Sequence, residues 1–146
     1  MTGEVIVKVR GLQMMEEDSD VIETIAPGKY YLKNGKHYIL YEETQEGFDE
    51  VTKNRIKLMP DYMELQKSGL TNVHMIFEKG KKNVTCYYTP YGSLQLGVFA
   101  TKVDITEGDD KIIVEVAYEL ELNDAPLAES HITLEVLASG SEVQLG

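Results

Sequence analysis

From Lys111 to Leu122 the chain alternates without a break: Ile112, Val114, Val116, Tyr118, Leu120 and Leu122 stand against Ile113, Glu115, Ala117, Glu119 and Glu121. A period of two is the spacing of a β-strand, whose successive side chains point to opposite faces. An apolar face backed by a largely acidic one suits an antiparallel strand with a core on one side and water on the other. The next segment repeats the pattern, with Ile132, Leu134 and Val136 on one face and Glu129, His131, Thr133 and Glu135 on the other. Asn123-Asp124 supplies the turn between them.

Similar runs recur upstream, at Glu4 to Gln13, Val21 to Lys33, Lys36 to Glu43, Val51 to Met59, Tyr62 to Ser68, Val73 to Glu78, Asn83 to Thr89 and Ser93 to Ile105. Turn residues separate them. Asn34-Gly35 is the strongest of these breaks, because both residues tolerate the positive φ of a type I′ hairpin turn. Pro60-Asp61, Ser68-Gly69, Lys79-Gly80-Lys81, Pro90-Tyr91-Gly92 and Glu107 to Asp110 supply the others. Only Glu42 to Asn54 has helical potential, and Gly47 with the β-branched Val51 and Thr52 limits it to about one turn. The fold class is therefore all-β, an antiparallel barrel or sandwich of about 8 to 10 strands.

A chain of 146 residues, 42% hydrophobic, is long enough to build one core. We expect a single domain over residues 1–137 and a frayed tail over 138–146, where Ser139-Gly140-Ser141 interrupts the pattern. The formal net charge of -11 opposes binding to nucleic acid or to an anionic membrane, which needs clustered Lys and Arg. Cys86 is the lone cysteine, so neither a disulfide framework nor a Cys-rich zinc site is expected. Lys8 interrupts the first apolar stretch, and no apolar run nears the roughly 18 residues of a membrane span. The expected compartment is the cytoplasm, where the glycosylation triplet Asn83-Val84-Thr85 has no meaning.

The succession Gly28-Lys29-Tyr30-Tyr31, Tyr38-Ile39-Leu40-Tyr41-Glu42-Glu43, Lys67-Ser68-Gly69, Met75-Ile76-Phe77 and Tyr88-Thr89-Pro90-Tyr91-Gly92 resembles the YwiB-like family of small bacterial proteins. The resemblance spans about Val5 to Val136 and implies a closed antiparallel barrel of the calycin type, shared with lipocalins and fatty-acid-binding proteins. It brings no established activity. By analogy of fold it suggests a binding role for a small apolar ligand. Two features depart from the wider pattern. The chain has no Trp, so the Gly-x-Trp of lipocalins is missing, and Lys67 stands two residues before Gly69 where the family tends to place Arg. An ammonium cannot reproduce the bidentate fork of a guanidinium.

On a barrel, polar residues that share the parity of inward aliphatics are the candidates for a site. Ile39 carries Tyr41 and Glu43 inward, Ile56 and Leu58 carry Thr52 and Asn54, Met63 and Leu65 carry Lys67, and Val84 carries Cys86 and Tyr88. Tyr41, Glu43, Thr52, Lys67 and Tyr88 lie toward the ends of their segments. They could gather at a barrel mouth and orient a ligand whose apolar part rests on Met75 and Phe77. Glu43 pairing with Lys67 is equally an end-plug that seals the barrel and fixes strand register.

Other chemistry is weakly supported. His37, His74 and His131 lack metal-ligand spacing and read as surface or edge residues; no cofactor is expected. Cys86, on a strand with no base nearby, reads as a buried small hydrophobe. Glu42-Glu43 points to opposite faces, and Glu16-Glu17-Asp18 suits a solvated turn. No nucleophile elbow, phosphate loop or zinc-protease helix is present. Tyr30, Tyr31, Tyr38, Tyr41, Tyr87, Tyr88 and Tyr91 crowd three segments and suggest an aromatic wall for a protein partner, a second copy among them. The sequence thus points away from an enzyme. The first expectation is a barrel that binds a small, partly apolar ligand at one end of its interior; the alternative is a side-chain-filled interaction or structural module that works through the tyrosine-rich wall or an acidic outer face, homodimeric in one form.

Overall fold

The computed structural model describes residues 3–11, 23–44, 47, 49–69 and 72–139. The run Glu16-Glu17-Asp18, the continuation of the first strand through Gln13, part of the Glu42 to Asn54 stretch and the tail over 140–146 lie outside them. Ten strands follow in order: β1 (Gly3–Arg10), β2 (Glu23–Lys33), β3 (Lys36–Thr44), β4 (Val51–Met59), β5 (Tyr62–Ser68), β6 (Val73–Glu78), β7 (Lys82–Thr89), β8 (Gly92–Gly108), β9 (Lys111–Leu122) and β10 (Ala125–Ala138). No helix occurs among the described residues.

All ten belong to one antiparallel sheet, ordered β6-β5-β4-β3-β2-β1-β10-β9-β8-β7. Every pair of strands adjacent in the sheet is consecutive in sequence except β1 and β10, which join with Val7 opposite Val136. The sheet then curls until its two ends meet, and the barrel is nearly closed. Closure is thin at that seam. Asn72 pairs with Tyr88 of β7 in an antiparallel bridge, Lys79 pairs with Ala100 of β8 in a parallel one, and no ladder joins β6 to β7 between them. The Asn83 amide helps by donating to the Ile76 carbonyl at 3.5 Å.

Turn chemistry explains the meander. Asn34 and Gly35 take φ of 53° and 76°, and Asn123 and Asp124 take 50° and 71°, as two-residue hairpins with primed turns require. Gly28 has a different reason. A methyl there would sit 2.5 Å from the Leu40 carbonyl oxygen and 2.9 Å from Val7 Cγ2, so the strands can approach only without it.

The core follows the alternation closely. Val5, Val7, Val9, Ile39, Ile56, Leu58, Met63, Leu65, Met75 and Phe77 face in, together with the even-numbered stripe Ile112 to Leu120 and Ile132, Leu134 and Val136. Phe77 and Tyr118 pack edge to face at 5.0 Å. The Tyr118 hydroxyl is buried without a hydrogen bond of ordinary geometry, and burial, opposed by a weaker contact with Ser130 on β10, pushes its pKa up to about 12. Two bulges shift the pattern. Leu96, Val98 and Ala100 face in, then Thr101 is inserted and Val103 takes up the inward parity. A second bulge lies between Pro126 and Ala128.

Three expectations are corrected. Val84, Cys86 and Tyr88 face outward, because Thr85 lies opposite Leu96 and Asn83 opposite Val98, and directly opposed residues share a face. The buried stripe of β8 therefore dictates which side of β7 turns in, and Cys86 is exposed. His37 is buried rather than peripheral, since it keeps the parity of Ile39. The tyrosines form no single wall: β3 and β7 are separated by β4, β5 and β6, and Tyr30 and Tyr41 point into the barrel.

Candidate functional site

The residues Tyr41, Glu43, Thr52, Asn54 and Lys67 come from three adjacent strands and meet at one mouth of the barrel. Register puts them there: Tyr41 is opposite Asn54, Glu43 opposite Thr52, and Asn54 opposite Lys67. The Lys67 ammonium forms an ion pair with Glu43 Oε1 and donates to Asn54 Oδ1 at 2.8 Å. Asn54 Nδ2 donates to the same Glu43 oxygen at 3.0 Å. The three side chains thus close a triangle that satisfies each charge with the other. Tyr41 lies buried beneath it, its pKa raised by burial and by the Glu43 carboxylate. Thr52 is also buried.

Met75 and Phe77 sit deeper, opposite Leu65 and Met63. Both are fully buried, so neither presents a surface toward the mouth. Tyr88 does not join the group: it is 53% exposed on the outer face of β7, where it hydrogen-bonds with Cys86 and its pKa is raised by that contact.

The opposite mouth holds a second polar chain. Tyr30 Oη lies 2.6 Å from His37 Nδ1, and His37 Nε2 lies 3.0 Å from Glu107 Oε2. A carboxylate accepts only from Nε2–H, so neutral His37 is the Nε2–H tautomer and Nδ1 accepts from Tyr30. Tyr30 has a raised pKa, from burial and from the Glu107 charge. This chain bridges β2 and β3 to β8 across the barrel. The parity of His37 with Ile39 is the signal that locates it, and its partners lie too far along the chain for spacing to reveal.

A third cluster lies on the outside. Glu64 is only 9% exposed, between Tyr62 Oη, which donates to it at 3.0 Å, and His74, which forms an ion pair with it. Burial would raise its pKa, yet the hydrogen bonds from His74 and Tyr62 and the charges of His74 and Lys57 hold it below the usual carboxylate range. Tyr62 is pushed up to about 12 by burial and by Glu64. No group of three or more His, Cys, Asp or Glu side chains that could hold a metal occurs among the described residues.

The interior offers little space. Val7, Ile39, Leu58, Leu65, Phe77, Leu96, Val114 and Leu134, one from each of eight strands, have no accessible surface at all. The wall of a cavity that holds even one water must expose some area to it. A groove of about 1340 Å³ runs over β1 to β5 and reaches the same mouth, lined by outward Ile25, Lys29, Tyr31 and Leu40 and by Tyr41, Glu43 and Asn54 of the polar group.

These features define a class: a nearly closed, ten-stranded antiparallel barrel with an apolar interior and a polar bridge over each mouth. The chain belongs to the DUF1934 family, a domain of unknown function whose model matches residues 7–134. It is similar to the uncharacterized beta-barrel protein YwiB of Bacillus subtilis, with 25% identity over 113 residues that span 76% of this chain and 78% of that protein. The crystal structure of the ywiB protein from Bacillus subtilis has the same fold, with a TM-score of 0.78 at 19% identity over 95% of this chain and 93% of that one. The family resemblance carried by the Gly28 to Gly92 succession is therefore borne out.

Proposed function

We propose that the protein is a cytoplasmic interaction module that works through the outer wall of a side-chain-filled barrel. One observation carries this reading: strand after strand contributes an inward side chain with zero accessible surface. A small, partly apolar ligand seated on Tyr41, Glu43, Thr52, Lys67, Met75 and Phe77 would have to break the Glu43–Asn54–Lys67 triangle and then displace packed core atoms. Interiors packed to this density resist even one added methylene group at a cost of about 1–3 kcal/mol. The outer wall supplies what the inside does not. It carries the groove along β1 to β5 and the exposed apolar side chains Ile25, Tyr31 and Leu32.

Native mass spectrometry of freshly purified protein tests the reading. The bare chain, alone or as a multiple of itself, is the expected mass. A retained small molecule, lost on Lys67→Met without loss of fold, would overturn it in favour of a ligand at the mouth.

A further inference from the structure

One stretch of the barrel wall has a strand on one side only. β7 pairs with β8 from Gly92 to Phe99, and at the seam Gly80 donates to the Ala100 carbonyl at 2.9 Å. Beyond the Thr101 bulge β8 runs on to Gly108 with β9 as its partner, and no described strand lies along its other edge. The two-residue turn at Asp109-Asp110 makes Gly108 and Lys111 a hydrogen-bonded pair, and the alternation of an antiparallel ladder then assigns Thr106, Asp104 and Lys102 to β9. Val103, Ile105 and Glu107 therefore turn their N–H and C=O groups to the unpaired side. Val103 is buried, Ile105 half-buried and Glu107 exposed, so the edge opens toward the mouth that holds the Tyr30–His37–Glu107 chain. Neither Ile105 nor Glu107 has a main-chain partner on that side among the described residues.

What completes such an edge is another strand, because an extended polypeptide repeats N–H and C=O at the spacing the edge demands. The side chains around it set the partner's sign. Asp104 and Glu107 are largely exposed, Asp109 and Asp110 form the turn beyond, and Glu115 stands directly opposite Asp104 on β9. Lys102 and Lys111 stand against them, and Lys102 is already held by Asp104 at 3.6 Å and by Glu115 at 3.2 Å. A second copy of the same edge would add acid to acid. We infer that β8 from Asp104 to Gly108 docks an extended segment of another polypeptide in which basic side chains alternate with apolar ones. The basic residues lie outward beside Asp104, the apolar ones inward beside Ile105, which itself packs against the core. Antiparallel pairing continues the pattern of the whole sheet. This contact is separate from the groove over β1 to β5, none of whose lining residues lies on β8, and it does not depend on that groove being used.

Fluorescence anisotropy with a fluorescein-labelled peptide of about seven alternating Lys and Val residues tests the docking. The wild-type protein should bind it, and should bind a peptide of alternating Glu and Val at least about tenfold more weakly. Main-chain pairing is read with N-methylated amides. In antiparallel pairing the Val residues, which share a face with Ile105, turn their N–H groups toward β8. Methylation of every Val nitrogen should therefore abolish binding, and methylation of every Lys nitrogen should leave it unchanged. The two methylated peptides carry the same charge and side chains, which separates strand pairing from simple attraction to an acidic protein. Asp104→Lys should weaken binding of the Lys/Val peptide and strengthen that of the Glu/Val peptide, each by at least about threefold, a gain that a misfolded chain would not show. Absence of binding at about 1 mM Lys/Val peptide overturns the inference, as does binding that both methylated forms retain. Self-association of the protein that the Lys/Val peptide displaces would put a second copy on the edge and overturn it as well.

Discussion

Lys67 is the residue on which the two readings of the barrel mouth differ most. Its ammonium is largely buried and spends its hydrogen bonds on Glu43 and Asn54. In an end-plug, removing the cation strands a carboxylate that is mostly withdrawn from water, a loss commonly larger than the pair's own net worth. Lys67→Met should therefore lower unfolding free energy by about 2–3 kcal/mol. The double variant Glu43→Met/Lys67→Met should regain most of that loss, because an apolar pair of similar length needs no partner. Urea unfolding of the three proteins checks the pattern; a single variant as stable as the wild type would mean that the triangle is no plug. The pairing of Glu43 with Lys67 was legible from parity alone. The Tyr30–His37–Glu107 chain was not, since Glu107 reaches that mouth only after the Thr101 bulge has shifted β8.

At the scale of elements, glycines separate positions that need room from positions that need only a left-handed backbone. Gly28→Ala drives a methyl into the Leu40 carbonyl and Val7, and should cost about 3 kcal/mol or more. Gly35→Ala has no neighbour within 4 Å and meets only the penalty of φ at 76°, about 1 kcal/mol. Thermal melts should rank the two in that order, and the reverse ranking would deny the close approach of β2 to β3. The strands themselves were legible because hydrophobic alternation and turn residues agree at nearly every break. β7 was not. Val84, Cys86 and Tyr88 look as fit for a core as Asn83, Thr85 and Tyr87, and only the register against Leu96 and Val98 decides between the two faces. A choice made by a neighbour eleven or more residues away leaves no trace in the strand's own period. Bulges are equally silent, since Thr101 resembles any other strand residue until its partners are known.

At the scale of the whole molecule, the decisive contact joins the first strand to the last, with Val5 opposite Ala138 and Arg10 opposite Thr133. Truncation after Leu122 removes β10, exposing the inward faces of β1 and β9 together. Such a chain should lose its cooperative unfolding transition altogether, as followed by near-ultraviolet circular dichroism across a urea series. A truncated chain that still melts in one sharp step would show that the remaining strands stand by themselves. The same junction has a bearing on biosynthesis. A ribosome delivers β1 first of the ten strands and its neighbour β10 last, so the oily lining stays open to its surroundings until β10 has emerged and only then can the ring be fastened. During that interval none of the described strands fills the gap between β1 and β9, and the growing polypeptide depends on speed or on a chaperone to reach the finished cylinder.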